Sequence, residues 1–124
     1  MKTIAKLAAA GLFVMGACAP AMAIGPGVYT VKGNNGESTS EYTGTLTIVQ
    51  TSKDTFKLTW VIGDERYDGF AVGDEHVLAA SFVTKGASGT ALLVEDDESE
   101  GGYQSIWAFK GTTKLGYEVI SPKK

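Results

Sequence analysis

The sequence predicts an all-β protein, a small eight-stranded antiparallel up-and-down barrel. Three observations carry that prediction. From residue 24 onward apolar and polar residues alternate with a period of two, and no stretch has helical spacing. Clusters of Gly, Asn, Asp and Lys interrupt the alternation at roughly the 8–12-residue spacing of all-β folds. The connections between strands are short, which favours pairing in sequence order, and closing so many strands in so short a chain removes exposed edges. A β-sandwich is the alternative that the same local pattern permits, and closure within one chain or by strand exchange between two stays open.

Residues 1–23 read as a secretory signal peptide that precedes the barrel. Lys2 and Lys6 give a positive start, residues 7–16 (LAAAGLFVMG) form an apolar run too short to span a bilayer, and Ala21-Met22-Ala23 supplies a small-x-small cleavage pattern. The mature chain is then expected to begin at Ile24. Met15-Gly16-Ala17-Cys18 also resembles a bacterial lipoprotein box, which makes lipidation at Cys18 the alternative fate of the leader. Both routes lead out of the cytoplasm, to the periplasm or beyond. Removing these 23 residues and their two lysines from the 124-residue chain leaves 101 residues and moves the net charge from −3 to −5.

The strands follow in order. Residues 28–32 form the first, and Asn34-Asn35-Gly36 opens a polar loop. In the second, 42–51, Tyr42, Gly44, Leu46 and Ile48 share one face and the threonines 43, 45 and 47 share the other. The third, 56–62, gives the clearest signal, with Phe56, Leu58, Trp60 and Ile62 on one side and Lys57 and Thr59 on the other. Strands at 66–72, 77–83, 90–95, 103–109 and 115–120 complete the set, separated by Gly63-Asp64, Gly73-Asp74, Lys85-Gly86, an acidic loop, and Gly111-Thr112-Thr113-Lys114. Pro26 and Pro122 flank the pattern, and no proline interrupts it. The glycines of Tyr42-Thr43-Gly44 and Tyr67-Asp68-Gly69 read as positions where a ring lies on a coiled strand, since no phosphate-loop motif joins a strand to a helix here.

Composition excludes several functions. A net acidic chain without clustered Lys and Arg is no nucleic-acid binder. A single Cys forms no disulfide framework, and one His with no mature Cys makes a zinc site unsuitable. His76 sits at a turn where nothing positions a nucleophile, so it reads as a solvated turn histidine. Glu41, Asp68 and Glu118 could supply paired carboxylates for glycoside hydrolysis, but their spacing selects no two of them. Asp68 would point inward if it shared an inner face with Phe70 and Val72, and Arg66 on that face would pair with it.

Two features remain as binding candidates. Tyr29, Phe56, Trp60, Phe70, Phe82, Tyr103, Trp107, Phe109 and Tyr117 mostly occupy the apolar face of their strands, where eight strands leave an interior just wide enough for side chains. Trp60, Trp107 and Tyr29 are the residues expected to meet a small apolar ligand if part of that interior is open. Glu95, Asp96, Asp97 and Glu98, with Glu100, form an acidic run that lacks the alternation and the position-twelve Glu of a calcium loop. It reads as a solvated hairpin loop, or as a surface for a basic protein partner.

Gly27-Val28-Tyr29, Tyr42-Thr43-Gly44, Trp60-Val61-Ile62-Gly63, Tyr67-Asp68-Gly69 and Leu78-Ala79-Ala80-Ser81-Phe82 together resemble a set of motifs in small exported bacterial β-proteins of uncharacterised function. The likeness spans most of residues 27–120 and implies an exported β domain with no activity attached. Gly27-x-Tyr29 is also similar to the G-x-W of avidin-like and lipocalin-like barrels. The Trp and the biotin-contacting polar residues are missing, so that similarity implies no ligand.

The expectation is therefore an exported, non-enzymatic binding protein with no catalytic residue, metal or cofactor and no membrane span. It would bind a small apolar molecule in the barrel or an envelope protein through its loops. The alternative is a periplasmic inhibitor of a hydrolase, a lysozyme or a protease, acting through the loop at 95–100.

Overall fold

The computed structural model describes residues 24–37, 40–99 and 101–123. The leader, its cleavage pattern at residues 21–23 and the alternative at Cys18 lie outside the described residues, as does Glu100 of the acidic run.

Alternation builds the strands. In Thr55–Ile62 (β3) Phe56, Leu58 and Trp60 are buried while Lys57 and Val61 are exposed, as a strand with one face on a core requires. The other strands are β1 (Gly27–Asn34), β2 (Glu41–Ser52), β4 (Glu65–Asp74), β5 (Val77–Thr84), β6 (Ala87–Asp96), β7 (Gly102–Phe109) and β8 (Gly116–Pro122). Each pairs antiparallel with its sequence neighbour, and β1 pairs with β8, so the sheet closes into an up-and-down barrel within one chain. That closure removes the sandwich alternative. Pro122 is the last residue of β8, opposite Tyr29, instead of lying beyond the strand. At the end of a ladder its missing N–H costs nothing, and Lys123 donates to the Val28 carbonyl just past it.

One strand faces the opposite way from the simplest reading of its sequence. In β4 the larger apolar residues Phe70 and Val72 point outward, and Phe70 is 53% exposed; Tyr67, Gly69 and Ala71 point inward. Asp68 does share the face of Phe70 and Val72, and that face is solvent, where Arg66 Nε donates to Asp68 Oδ1 at 3.0 Å. The reason is space. The Trp60 indole lies over Gly69 so closely that a Cβ there would sit 2.8 Å from its ring. A large residue at 69 or 71 would collide with a core already filled by Trp60, Leu58 and Phe82. Tyr117 is likewise outside, 50% exposed, because β8 turns Gly116, Glu118 and Ile120 inward.

The outer surface is uneven. Val72, Ala79, Leu92, Ile106 and Tyr117 are successive cross-strand partners from β4 to β8 and form an exposed apolar row. The outside of β2 carries Thr43, Thr45 and Thr47 instead. Among the described residues no helix is long and apolar enough to cross a membrane.

The up-and-down path sorts the connections between two ends. One end holds residues 24–26, the turns at 53–54 and 75–76, the acidic loop and residue 123. The other holds residues 35–37 and 40 and the connections at 63–64, 85–86 and 110–115.

Candidate functional site

The first end is closed by tyrosines. Tyr29 and Tyr103 are fully buried and meet edge to face, with centroids 5.7 Å apart. Tyr29 Oη donates to the Gly25 carbonyl at 2.7 Å, Gly25 N donates to Tyr103 Oη at 2.7 Å, and Tyr103 Oη donates to the Glu75 carbonyl at 2.8 Å. These bonds fasten residues 24–26 across the barrel mouth. Burial pushes both phenols up, Tyr103 to about 12, so they remain neutral donors at any ordinary pH.

The second end is open. A cavity of about 470 Å³ enters the barrel there, lined by Tyr42, Trp60, Ile62, Tyr67, Phe82, Ala91, Trp107, Phe109 and Glu118, with Asn35, Thr112 and Lys114 at the loop rim. Phe82 is the hub of its wall, meeting Trp60 at 5.9 Å, Tyr67 at 6.1 Å, Trp107 at 6.5 Å and Phe109 at 5.7 Å between centroids. Such tilted and edge-to-face contacts hold rings more firmly than area burial alone. Trp107 lies flat on Gly116, its partner on β8, where a Cβ would come within 2.2 Å of the indole. Its indole also stands beside Tyr42, with ring centroids 6.5 Å apart.

Glu118 is the one buried carboxylate among the described residues, 7% exposed at an inward position of β8. Tyr42 Oη donates to its Oε2 at 2.6 Å and Trp60 Nε1 donates to its Oε1 at 3.2 Å. Tyr42 stands on β2, two strands from Glu118, and reaches it across Gly33 of β1. A Cβ at Gly33 would sit 2.6 Å from the Tyr42 hydroxyl, so only glycine leaves that path clear. Burial raises the Glu118 pKa, and its two donors only partly offset the loss of water. Burial also raises the Tyr42 hydroxyl, helped by the neighbouring Glu118 charge, and pushes Tyr67 up to about 12.

A pH dependence of stability follows from these directions. The unfolded chain releases the Glu118 proton near the ordinary value of 4.5, whereas the folded barrel keeps it to higher pH. Between those points the native state binds the extra proton, so stability falls as pH rises through that window and the deficit is complete above it. His76 acts in the same sense at higher pH, because its bond to Glu95 raises it above 6.5 and its contribution is lost as pH rises through the raised value. Denaturant midpoints at pH 4.5, 6 and 8 should therefore decline in the wild type. Glu118→Gln should remove the share of that decline due to Glu118 and leave the His76 share.

The structure brings Trp60 and Trp107 together on one cavity wall. Tyr29 lies at the closed end and does not line the cavity. The acidic residues also sit at that far end. Glu95 Oε1 bonds His76 Nδ1 at 2.6 Å, Asp96 Oδ1 accepts from Glu98 N and Asp96 Oδ2 from Gln104 Nε2, and Asp97–Ser99 form one 3-10 turn. Among the described residues no group of three or more His, Cys, Asp or Glu side chains is placed to hold a metal ion. Sequence reasoning did not select Tyr42 or Tyr67, and it named Glu118 only among three carboxylates of which spacing paired no two. For Glu118 the available signal was its parity with Ile120, which places an acid on the inward face of β8. The sequence matches no family model and no curated protein.

Proposed function

We propose that this chain is an exported, non-enzymatic binding protein that takes a small, largely apolar molecule into the open end of its barrel. The observation that carries the reading is the cavity of about 470 Å³ walled by six aromatic side chains, within the size range and lining typical of small-ligand sites. The non-enzymatic part is supported by the makeup of that wall. Glu118 has no second carboxylate and no histidine beside it among the described lining residues, and the Tyr42 hydroxyl nearest to it is used to hold it in place. A protein-binding role for the loop at 95–98 has less support, since Glu95 and Asp96 are engaged in bonds within the barrel's own end.

The test uses N-phenyl-1-naphthylamine, a neutral aromatic probe, read by energy transfer from Trp60 and Trp107. Saturable binding at one probe per chain is expected, and Ala91→Phe, which fills the cavity from β6, should abolish it while far-ultraviolet circular dichroism stays that of a β protein. Absence of saturable binding, or binding indifferent to Ala91→Phe in a folded variant, overturns the reading. The export half is checked by the intact mass of the chain recovered from its own envelope, expected to correspond to residues 24–124.

A further inference from the structure

We infer that the molecule this cavity takes is an organic cation, an aromatic or otherwise apolar body bearing one protonated amine whose nitrogen pairs with Glu118 among the aromatic rings. The inference rests on the binding function proposed above and specifies its ligand class.

Glu118 is an expensive residue for the interior of so small a barrel. An apolar side chain at this inward position of β8 would avoid the cost of taking a carboxylate out of water. Instead the fold holds the carboxylate in one orientation. Gly33 clears the path for the Tyr42 hydroxyl to reach Oε2, and Trp60, whose N–H can only donate, fixes Oε1. Those two bonds occupy about half of the roughly four acceptor positions of a carboxylate. The group lines the cavity, so acceptor capacity remains beside the space a ligand would enter.

The missing component is positive charge. Among the described residues no ion pair includes Glu118: the pairs are Arg66 with Asp68, His76 with Glu75 and Glu95, and Lys114 with Glu37. Among the described residues Lys114 is the only cation lining the cavity, and its Nζ is held at the loop rim by Glu37 Oε2 at 2.6 Å. A ligand ammonium would therefore supply the counterion that the chain does not. It would form a charge-assisted hydrogen bond in a site largely shielded from water, where such bonds are strongest. The surrounding rings, Tyr42, Trp60, Tyr67, Phe82, Trp107 and Phe109, suit the same ligand, because aromatic quadrupoles attract a nearby cation while their area buries its apolar body. An anionic ligand would meet like charge, and an uncharged hydrocarbon would leave the carboxylate uncompensated and further desolvated.

The experiment is titration calorimetry of the full mature chain at pH 7.5 with three ligands of one shape: 1-naphthylmethylamine, 1-ethylnaphthalene and 1-naphthylacetate. The amine is expected to bind about tenfold or more tightly than the hydrocarbon, with the acid weakest. Glu118→Gln should bring amine and hydrocarbon to within about twofold of each other. Equal binding of amine and hydrocarbon to the wild type, or preference for the acid, overturns the cation inference and leaves the apolar-ligand reading standing. Failure of all three to bind, together with failure of the neutral probe above, overturns that reading itself. The wild-type ratio decides the matter even where Glu118→Gln does not fold.

Discussion

Replacing Trp60 with Ala should lower the stability of the barrel by about 3–5 kcal/mol, the usual cost of deleting a buried large aromatic. Native domains have only about 5–15 kcal/mol in reserve, so the variant should sit near its unfolding midpoint in mild denaturant. Trp60 is 4% exposed, lies over Gly69, meets Phe82 at 5.9 Å and donates to Glu118. Alanine leaves a hole under the cavity wall and removes one of two donors from the buried carboxylate. Trp60→Phe separates these effects. It keeps part of the packing and loses the N–H along with some ring volume; the N–H loss alone should cost about 1–3 kcal/mol while Glu118 is ionised, and it is the part that varies with pH. Because the lost bond favours the charged form, that cost should shrink below pH 4.5, where the carboxyl is protonated in both states. Denaturant midpoints of both variants at pH 4 and pH 8 check this. Midpoints indistinguishable from wild type would mean that the indole does not pack where the barrel puts it. A Trp60→Phe deficit equal at both pH values would mean that its N–H does not serve a titrating group.

The number, order and pairing of the strands were legible because each relies on local signals that agree. Phe56, Leu58 and Trp60 alternate against Lys57 and Thr59, and turn residues separate the strands, so the meander follows. Legibility failed where both faces of a strand are apolar. In β4 hydrophobicity alone favours Phe70 and Val72 as the inner set. The barrel needs the small set, Gly69 and Ala71, because rings from β3 and β5 already fill that volume. Volume inside a closed barrel is shared among strands far apart in sequence, and no single strand's pattern reports it. The same limit governs the site. Trp60 and Trp107 could be named from their faces, but the bond from Tyr42 to Glu118 depends on register across three strands and on Gly33 standing between them. Tyr29 carries no mark in the sequence to say which end of the barrel it serves. Only the direction of β1 assigns it to the closed end.

Tyr103→Ala should be as destabilising as Trp60→Ala, about 3–5 kcal/mol, yet for a different reason and with a different effect on binding. Tyr103 is fully buried against Tyr29, and its hydroxyl joins Gly25 N to the Glu75 carbonyl. Alanine removes the plug of the closed end and frees residues 24–26 from it. The finer comparison is Tyr103→Phe, which preserves the ring and orphans one N–H and one carbonyl, at a cost of about 1–3 kcal/mol. Since burial pushes the Tyr103 hydroxyl up to about 12, it is neutral at pH 4 and pH 8 alike, and this deficit should not change with pH as that of Trp60→Phe does. Amide exchange should quicken at Gly25 and in the turn at 75–76. The affinity of the neutral naphthylamine probe should stay at the wild-type value, because the cavity opens at the other end. The two phenylalanine variants would then differ in the pH dependence of their deficits. Were Tyr103→Phe to weaken the probe, the interior would be behaving as one continuous volume. The division between a sealed end and a receiving end would then have to be abandoned.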